Sequence, residues 1–170
     1  MTEWIKLTSN TLTSTTVDFD TDEFELFEMQ EWIFQLEQSG GGDAKLRCGI
    51  SGSIDTGNNY AVRTSANFAT DSTDPNKNGI SNIDGYDNPS IGRIFMANIP
   101  NISSATSEKL LICFFVTDTD GSAGTAPFFR KSFWKWNSGT GQSNINNMIV
   151  DGGSGSELQV GTNLTITGSN

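Results

Sequence analysis

The stretch Ala44-Lys-Leu-Arg-Cys-Gly-Ile-Ser51 alternates apolar and polar residues along the chain. In a strand, Ala44, Leu46, Cys48 and Ile50 would share one face, and the residues between them would share the other. A strand that is apolar on one face only is half-buried, because that face covers a core while the other meets water. This stretch therefore predicts an antiparallel β protein.

The preceding segment, Glu28 to Gln38, carries the same signal. Trp32, Phe34 and Leu36 fall on one face, and Ile33 is the apolar exception on the other. The connector Ser39-Gly-Gly-Gly-Asp43 suits a turn, so we predict a hairpin that pairs this segment with the stretch after it. An amphipathic helix over 23–37 is the alternative, and the alternation beside a glycine run favours the strand.

Similar patterns elsewhere bring the prediction to about ten short strands separated by turn residues. The other eight are Trp4–Thr8, Leu12–Phe19, Tyr60–Phe68, Gly92–Asn98, Lys109–Thr117, Phe128–Trp136, Asn144–Val150 and Asn163–Thr167. Two apolar layers without helices to cover them must pack on each other, which predicts a β-sandwich of two antiparallel sheets. The 170 residues fit a single domain spanning 1–170.

The net charge and the absence of histidine limit the functions that the chain is expected to have. The chain has 20 acidic and 10 basic residues, a net charge of −10, and no histidine. Net negative charge opposes binding to phosphate backbones, so we expect no nucleic-acid partner. Histidine is the side chain that most often transfers protons near neutral pH, and its absence disfavours an enzyme. We assign no catalytic residue, no cofactor and no metal ligand.

The cysteines and the apolar runs point to a protein without membrane contact. Cys48 and Cys113 lie in apolar strand-like segments, which predicts two buried free thiols, with a disulfide between neighbouring strands as the alternative. The first residues, 1–6, lack the features of a secretory signal. The longest apolar run, Leu110–Val116, is too short to cross a bilayer as a helix.

Two strands carry more apolar residues than one core face requires. Lys109–Val116 is apolar on both faces, so its second face must be covered by the fold or by a partner. In Phe128–Trp136, the residues Phe128, Ser132, Trp134 and Trp136 share one face. The opposite face holds the candidate subunit-interface residues, which are Phe129, Lys131, Phe133 and Lys135. Carbohydrate recognition by the rings of this strand, with Trp134 as the residue to test, is the alternative.

Two acidic motifs have simpler interpretations as surface features. Asp74-Pro-Asn-Lys-Asn-Gly79 resembles the first half of a calcium loop, but position 85, where such a loop needs glutamate, is glycine. The sequence therefore leaves calcium binding by 74–85 open, within a connector from Ala69 to Ile91 that we expect on the surface. The carboxylates of Asp18, Asp20, Asp22, Glu23 and Glu25 could serve a glycosidase, but a run of like charges is usually a solvated face.

The whole chain resembles the single-domain jelly-roll structural proteins of tailed bacteriophages. The resemblance follows, in order, the strand Thr11–Phe19, the strands around Trp32–Leu36 and Ala44–Ile50, the strand Ile145–Val150, and the glycine-rich turn and strand from Gly152 to Gly168. The chain departs from the family pattern at Thr167, where a tyrosine commonly precedes the glycine. It also departs in its acidic stretch, 18–31.

This resemblance implies an all-β jelly roll of eight strands in two antiparallel sheets, without enzymatic activity and located in the virion. It implies a homo-oligomer, often a trimer, that decorates or cements the head or belongs to the tail or fibre. The expected partners are copies of the same chain together with the major capsid protein or tail proteins. A carbohydrate-binding module for receptor recognition is the alternative function.

Overall fold

The structure is a computed structural model that describes residues 3–25, 27–39, 44–66, 71–80, 93–100, 102, 104, 106, 108–117, 126–137, 144–153 and 155–170. These residues contain no helix, which confirms the all-β prediction and makes the alternative helix over 23–37 wrong. Accordingly, no helix among them could span a membrane.

The described residues form fourteen strands. They are β1 (Ile5–Thr11), β2 (Asp18–Asp20), β3 (Met29–Leu36), β4 (Gln38–Ser39), β5 (Lys45–Ile50), β6 (Ser53–Ile54), β7 (Tyr60–Ala66), β8 (Ser72–Lys77), β9 (Arg93–Pro100), β10 (Lys109–Thr117), β11 (Phe128–Trp136), β12 (Asn147–Asp151), β13 (Glu157–Leu158) and β14 (Asn163–Ser169).

These strands make one large and two smaller sheets. The eight-stranded sheet has the order β1-β14-β3-β9-β10-β11-β7-β8, and the four-stranded sheet has the order β2-β12-β5-β6. β13 and β4 form a separate two-stranded ladder. Every pair is antiparallel.

One apolar core draws side chains from both main sheets. Trp32, Phe34 and Phe95 enter it from the large sheet, and Leu46 and Met148 enter it from the four-stranded sheet. Phe34 and Phe95 meet edge to face, with ring centroids 5.7 Å apart. Each sheet thus buries one face, as the alternating patterns required.

The strand predictions succeed best at two long segments rich in apolar residues. Lys109–Thr117 and Phe128–Trp136 have the predicted bounds. The predicted strand Leu12–Phe19 is wrong over most of its length, because only Asp18–Asp20 at its end forms a ladder. Before that point, the backbone N–H of Leu12 donates to Thr162 and Thr16 makes an isolated bridge with Leu158.

The predicted hairpin between the segments around Trp32 and Leu46 is wrong. β3 pairs with β14 and β9 in the large sheet, whereas β5 pairs with β12 and β6 in the other. Alternation reports that a strand is half-buried, but it does not report which strand is its neighbour. A glycine-rich connector suits a crossing between sheets as well as a tight turn.

The connector from Ala69 to Ile91 is partly a strand. Residues Ser72–Lys77 form β8, which pairs with β7 at the edge of the large sheet and is mostly exposed. The expected surface position is therefore confirmed for this segment, but the prediction that it is a connecting loop is wrong. Asp84 and Gly85, the far end of the possible calcium loop, lie outside the described residues.

The predicted strand Asn163–Thr167 is confirmed as part of β14, which lies between β1 and β3. Near its end, the chain passes closely against its neighbours. A Cβ added at Gly168 would lie 2.9 Å from the ring of Phe27 and 3.0 Å from Leu7. This contact leaves no room for a side chain, so glycine is required there by packing.

Candidate functional site

The candidate site lies on the face of the eight-stranded sheet that points away from the core, which we call the outer face. β10 crosses the middle of this sheet. Leu111, Cys113 and Phe115 point into the core, as alternation demands. The intervening residues of β10, which are Leu110, Ile112, Phe114 and Val116, all face outwards, and their apolar side chains contribute nothing to the core.

The next strand, β11, places all four predicted interface residues on the outer face. Ser132, Trp134 and Trp136 are buried, so Phe129, Lys131, Phe133 and Lys135 point the other way. The predicted division of the strand into two faces is therefore confirmed. Whether a second subunit covers the outer residues stays a prediction.

The rings and the cation on this face contact one another. Phe129 stacks on Phe114, with ring centroids 6.3 Å apart and an interplanar angle of 29°. The Nζ atom of Lys131 lies 4.9 Å from the centre of the Phe133 ring and 5.8 Å from that of Phe114. Such cation–π contacts keep the ammonium group close to the rings.

The strand register extends the apolar surface to β9. Ile112 pairs with Phe133, and Val116 pairs with Phe129 on one side and with Ile94 on the other. The exposed fractions of Ile94, Leu110, Ile112, Val116 and Phe133 range from 37% to 54%. Together these side chains expose on the order of 400 Å², as much as the largest apolar patch of an ordinary monomer.

Charged groups border this apolar surface. Lys135 pairs with Glu108 at 2.5 Å, and Arg63 on β7 pairs with Asp71 at 2.8 Å. On β3, Glu31 faces outwards beside Asn98. Within the described part of the chain, neither Lys131 nor Glu31 forms an ion pair.

Two shallow hollows open where the outer face meets β7 and β8. One, of about 360 Å³, is lined by the ring of Phe133 together with Arg63, Thr73 and Asp74. The other has a similar volume and is lined mainly by amides, which belong to Asn58, Asn59, Asn76 and Asn137. Amide, carboxylate and ring groups of this kind can hold a polar ligand such as a sugar.

The two tryptophans of β11 are core residues. The indole N–H of Trp134 donates to Ser132 Oγ at 2.9 Å, and that of Trp136 donates to Asp55 Oδ2 at 2.8 Å. Because both rings are buried, neither offers a platform for a sugar. The carbohydrate alternative must therefore rest on Phe133 and its hollow.

Asp55 organises one end of the core, although no pattern in the sequence marks it as a functional or structural residue. Besides Trp136, its carboxylate accepts the backbone N–H of Gly57 at 2.8 Å and the amide of Asn59 at 3.0 Å. The Tyr60 hydroxyl beside it accepts the backbone N–H of Cys48 at 2.8 Å. An Asp-Thr-Gly sequence looks like an ordinary turn, and its long-range bond to Trp136 has no local signal.

Burial keeps two thiols and one hydroxyl in their neutral states. Both cysteines are free and buried, as predicted. Burial raises the pKa values of the Cys48 and Cys113 thiols and of the Tyr60 hydroxyl. Burial lowers the pKa of Lys109, whose ammonium donates to the carbonyl of Ser104. A thiol with a raised pKa is a poor nucleophile, so these groups serve packing.

Of the other acidic motifs, the one around Asp18 lies apart from the outer-face rings, whereas Asp74 lines the hollow beside Phe133. Asp18 and Asp20 are exposed on either side of buried Phe19, at the edge of the four-stranded sheet. Asp74 lies in β8 and pairs with Lys77 at 2.5 Å. Among the described residues, no group of three or more acidic or cysteine side chains is arranged to hold a metal ion.

Comparisons with family models, with curated proteins and with solved structures find no match to this chain.

Proposed function

We propose that this chain is a non-enzymatic structural protein of a tailed-bacteriophage virion, built as a jelly roll and assembled with copies of itself. Its work is mechanical: it decorates or cements the head, or it joins parts of the tail or fibre. The observation that carries the proposal is the apolar row on the outer face, where Leu110, Ile112, Val116 and Phe133 meet solvent in a single copy.

The strand pairing supports the jelly roll. In that fold of eight strands, the first strand pairs with the last, the last with the third, and the third with the sixth. The second pairs with the seventh, the seventh with the fourth, and the fourth with the fifth. The strands β1, β2, β3, β5, β6, β9, β12 and β14, taken in chain order, have all of these pairings.

The remaining strands of the large sheet support the assembly role. β10, β11, β7 and β8 continue the sheet beyond β9 and are additional to the eight strands of a jelly roll. Two of them, β10 and β11, carry most of the exposed apolar side chains of the outer face. An extension that added only a core would not need apolar residues on both sides, whereas an extension that binds another subunit would.

In a virus particle, weak contacts between subunits are enough for stable attachment. A cement protein is present in many copies, and each copy touches several neighbours, so modest individual affinities add to a strong attachment. The net charge of −10 keeps the chain away from packaged nucleic acid. These features, together with the resemblance of the sequence, favour the head over the tail. The resemblance also makes a trimer the expected oligomer.

The first experiment measures self-association by analytical ultracentrifugation. Phe133→Asp should break the contact that the outer face makes and lower the mass of the oligomer, because it would bury a carboxylate in that contact. Val160→Asp is the matched control, since Val160 is as exposed but lies in the turn before β14. A monomeric wild-type chain, or equal loss in both variants, would overturn the assembly role.

The second experiment places the chain in a particle. Quantitative mass spectrometry of purified virions should find the chain at a copy number set by the symmetry of the head. A copy number set by the tail symmetry would move the role to the tail. Absence of the chain from complete particles would overturn the virion proposal and leave the self-association result intact.

The hollow beside Phe133 favours one second candidate, a carbohydrate-binding module for receptor recognition. Its ring, Arg63 and Asp74 could contact one sugar. Binding to a glycan array that Asp74→Ala abolishes, with self-association unchanged, would support this candidate. Glu157→Ala, on an exposed carboxylate of β13 outside the hollow, is the control.

A further inference from the structure

The outer face has a layout of apolar and charged residues that is complementary to itself. We propose that two copies pack their outer faces together around a two-fold axis that runs parallel to the strands, between β9 and β10. The inference rests on the proposed self-assembly and adds the partner surface and its orientation.

The position of the axis follows from the strand order. Four strands, β1, β14, β3 and β9, lie on one side of the β9–β10 boundary, and β10, β11, β7 and β8 lie on the other. The apolar side chains of Ile94 and Met96 on β9 adjoin those of Val116 and Phe114 on β10. An axis at this boundary places the apolar centre of one copy over the apolar centre of the other.

The orientation of the axis follows from the charges. Lys131 and Lys135 lie on β11, one strand to one side of this centre, and Glu31 lies on β3, one strand to the other side. A two-fold axis along the strands places β11 of one copy over β3 of the other. An axis across the strands would instead place β11 over β11 and confront lysine with lysine in a desolvated contact, which is costly.

The register brings the opposite charges within reach. Glu31 on β3 and Phe133 on β11 lie at the same height along the strands, because Glu31 pairs with Asn98, Asn98 with Ile112, and Ile112 with Phe133. These four residues form one row across the sheet. Lys131 and Lys135 each stand two residues from that row, about 7 Å along the strand. Packed sheets lie about 10 Å apart, a gap that a lysine and a glutamate side chain span together. Glu31 and Lys131, which form no ion pair within one described copy, would thereby gain one.

The size of the face suits a stable pair. Eight strands give a width of about 38 Å, and the outward residues extend about 20 Å along the strands, so the face offers roughly 800 Å². Specific interfaces bury about that area on each partner. A trimer formed through other surfaces would use this contact to join a second trimer.

The test is a charge reversal followed by its reciprocal, measured as the dissociation constant of the pair by analytical ultracentrifugation. Lys131→Glu alone and Glu31→Lys alone should each weaken pairing about tenfold or more, because each confronts like charges. The double variant should return the constant to within about threefold of wild type. Lys45→Glu and Glu157→Lys make the same charge changes away from the outer face and should have little effect.

Each other outcome has a distinct meaning. Stronger pairing by Lys131→Glu would overturn the orientation, because it is the result expected when β11 lies over β11. Two weakened single variants without rescue in the double variant would overturn the pairing of Glu31 with Lys131, while Phe133→Asp still reports on self-association. A wild-type chain that stays monomeric at high concentration would overturn both this inference and the proposed function. Circular dichroism of each variant checks that the fold is kept.

Discussion

The two faces of β10 have similar residues and different surroundings. Leu111, Cys113 and Phe115 are almost completely buried between the sheets, whereas Leu110, Ile112 and Val116 on the opposite side meet solvent. The inner residues are explained by folding alone, because the sheet needs one apolar face. The outer residues are not explained by folding, and their apolar character therefore points to a second molecule.

The comparison is tested most strongly by two adjacent phenylalanines. Phe115→Ala should lower the free energy of unfolding by about 3–5 kcal/mol, because it leaves a cavity in the core. Phe114→Ala removes the same atoms from the outer face and should cost about 1 kcal/mol, the loss of its ring contact with Phe129. Guanidinium denaturation measures the free energy of unfolding of both variants, at a protein concentration too low for self-association. Equal losses would mean that the outer face is part of the folding core.

The next largest loss of stability is expected at Asp55, which lies at the polar end of the core. Asp55→Ala should cost about 2–3 kcal/mol, because the Trp136 indole and the side-chain amide of Asn59 lose their acceptor in a partly buried place. Asp71→Ala is the control, since Asp71 only pairs with Arg63 on the surface. A loss no larger than that of the control would show that Asp55 is not needed to hold the tryptophan.

Much of this inner and outer division could be predicted from the sequence. Apolar runs and alternation are local properties, so they predict the strands Lys109–Thr117 and Phe128–Trp136 with the correct bounds, and they predict the two faces of the second strand. The predicted interface set of Phe129, Lys131, Phe133 and Lys135 does share one face. What the sequence could not supply is the neighbour of each strand.

The errors that matter most for the site concern contacts between distant parts of the chain. The segments around Trp32 and Leu46 were predicted to pair, but they lie in different sheets. Ile94 joins the apolar surface only because β9 happens to pair with β10. Asp55 binds Trp136 across 81 positions of sequence. No local pattern encodes such pairings, because they are decided by the free energy of the whole packed core.

The buried thiols of the core should make the stability of the fold depend on pH. Burial raises the pKa of Cys48 and Cys113. As the pH rises, the thiols therefore ionise in the unfolded chain while they are still protonated in the folded chain. Their contribution to stability is fully present below about pH 9, where a solvated thiol ionises, and is lost as the pH rises above it. Each thiol should lower the free energy of unfolding by about 1.4 kcal/mol per pH unit there.

This loss is measured by denaturation between neutral pH and pH 10. A variant with Cys48→Ala and Cys113→Ala should lose less stability over the alkaline part of the range, although it is less stable at neutral pH. Tyr60, whose pKa burial also raises, would add its own decline above about pH 10 in both proteins. An identical alkaline decline in the variant would contradict the role assigned to the thiols.

The smallest effect is expected from the charged rim of the outer face. Lys135 and Glu108 form an ion pair in which both side chains are largely exposed, so Lys135→Ala should change the free energy of unfolding by less than about 1 kcal/mol. Added salt should shrink even that change, because exposed charges are screened. Self-association should respond more than folding does, since Lys135 borders the surface that a second copy would cover. A variant that unfolds as readily as Phe115→Ala would place Lys135 among the residues that hold the fold, and the outer face would then lose its claim to be separate from the core.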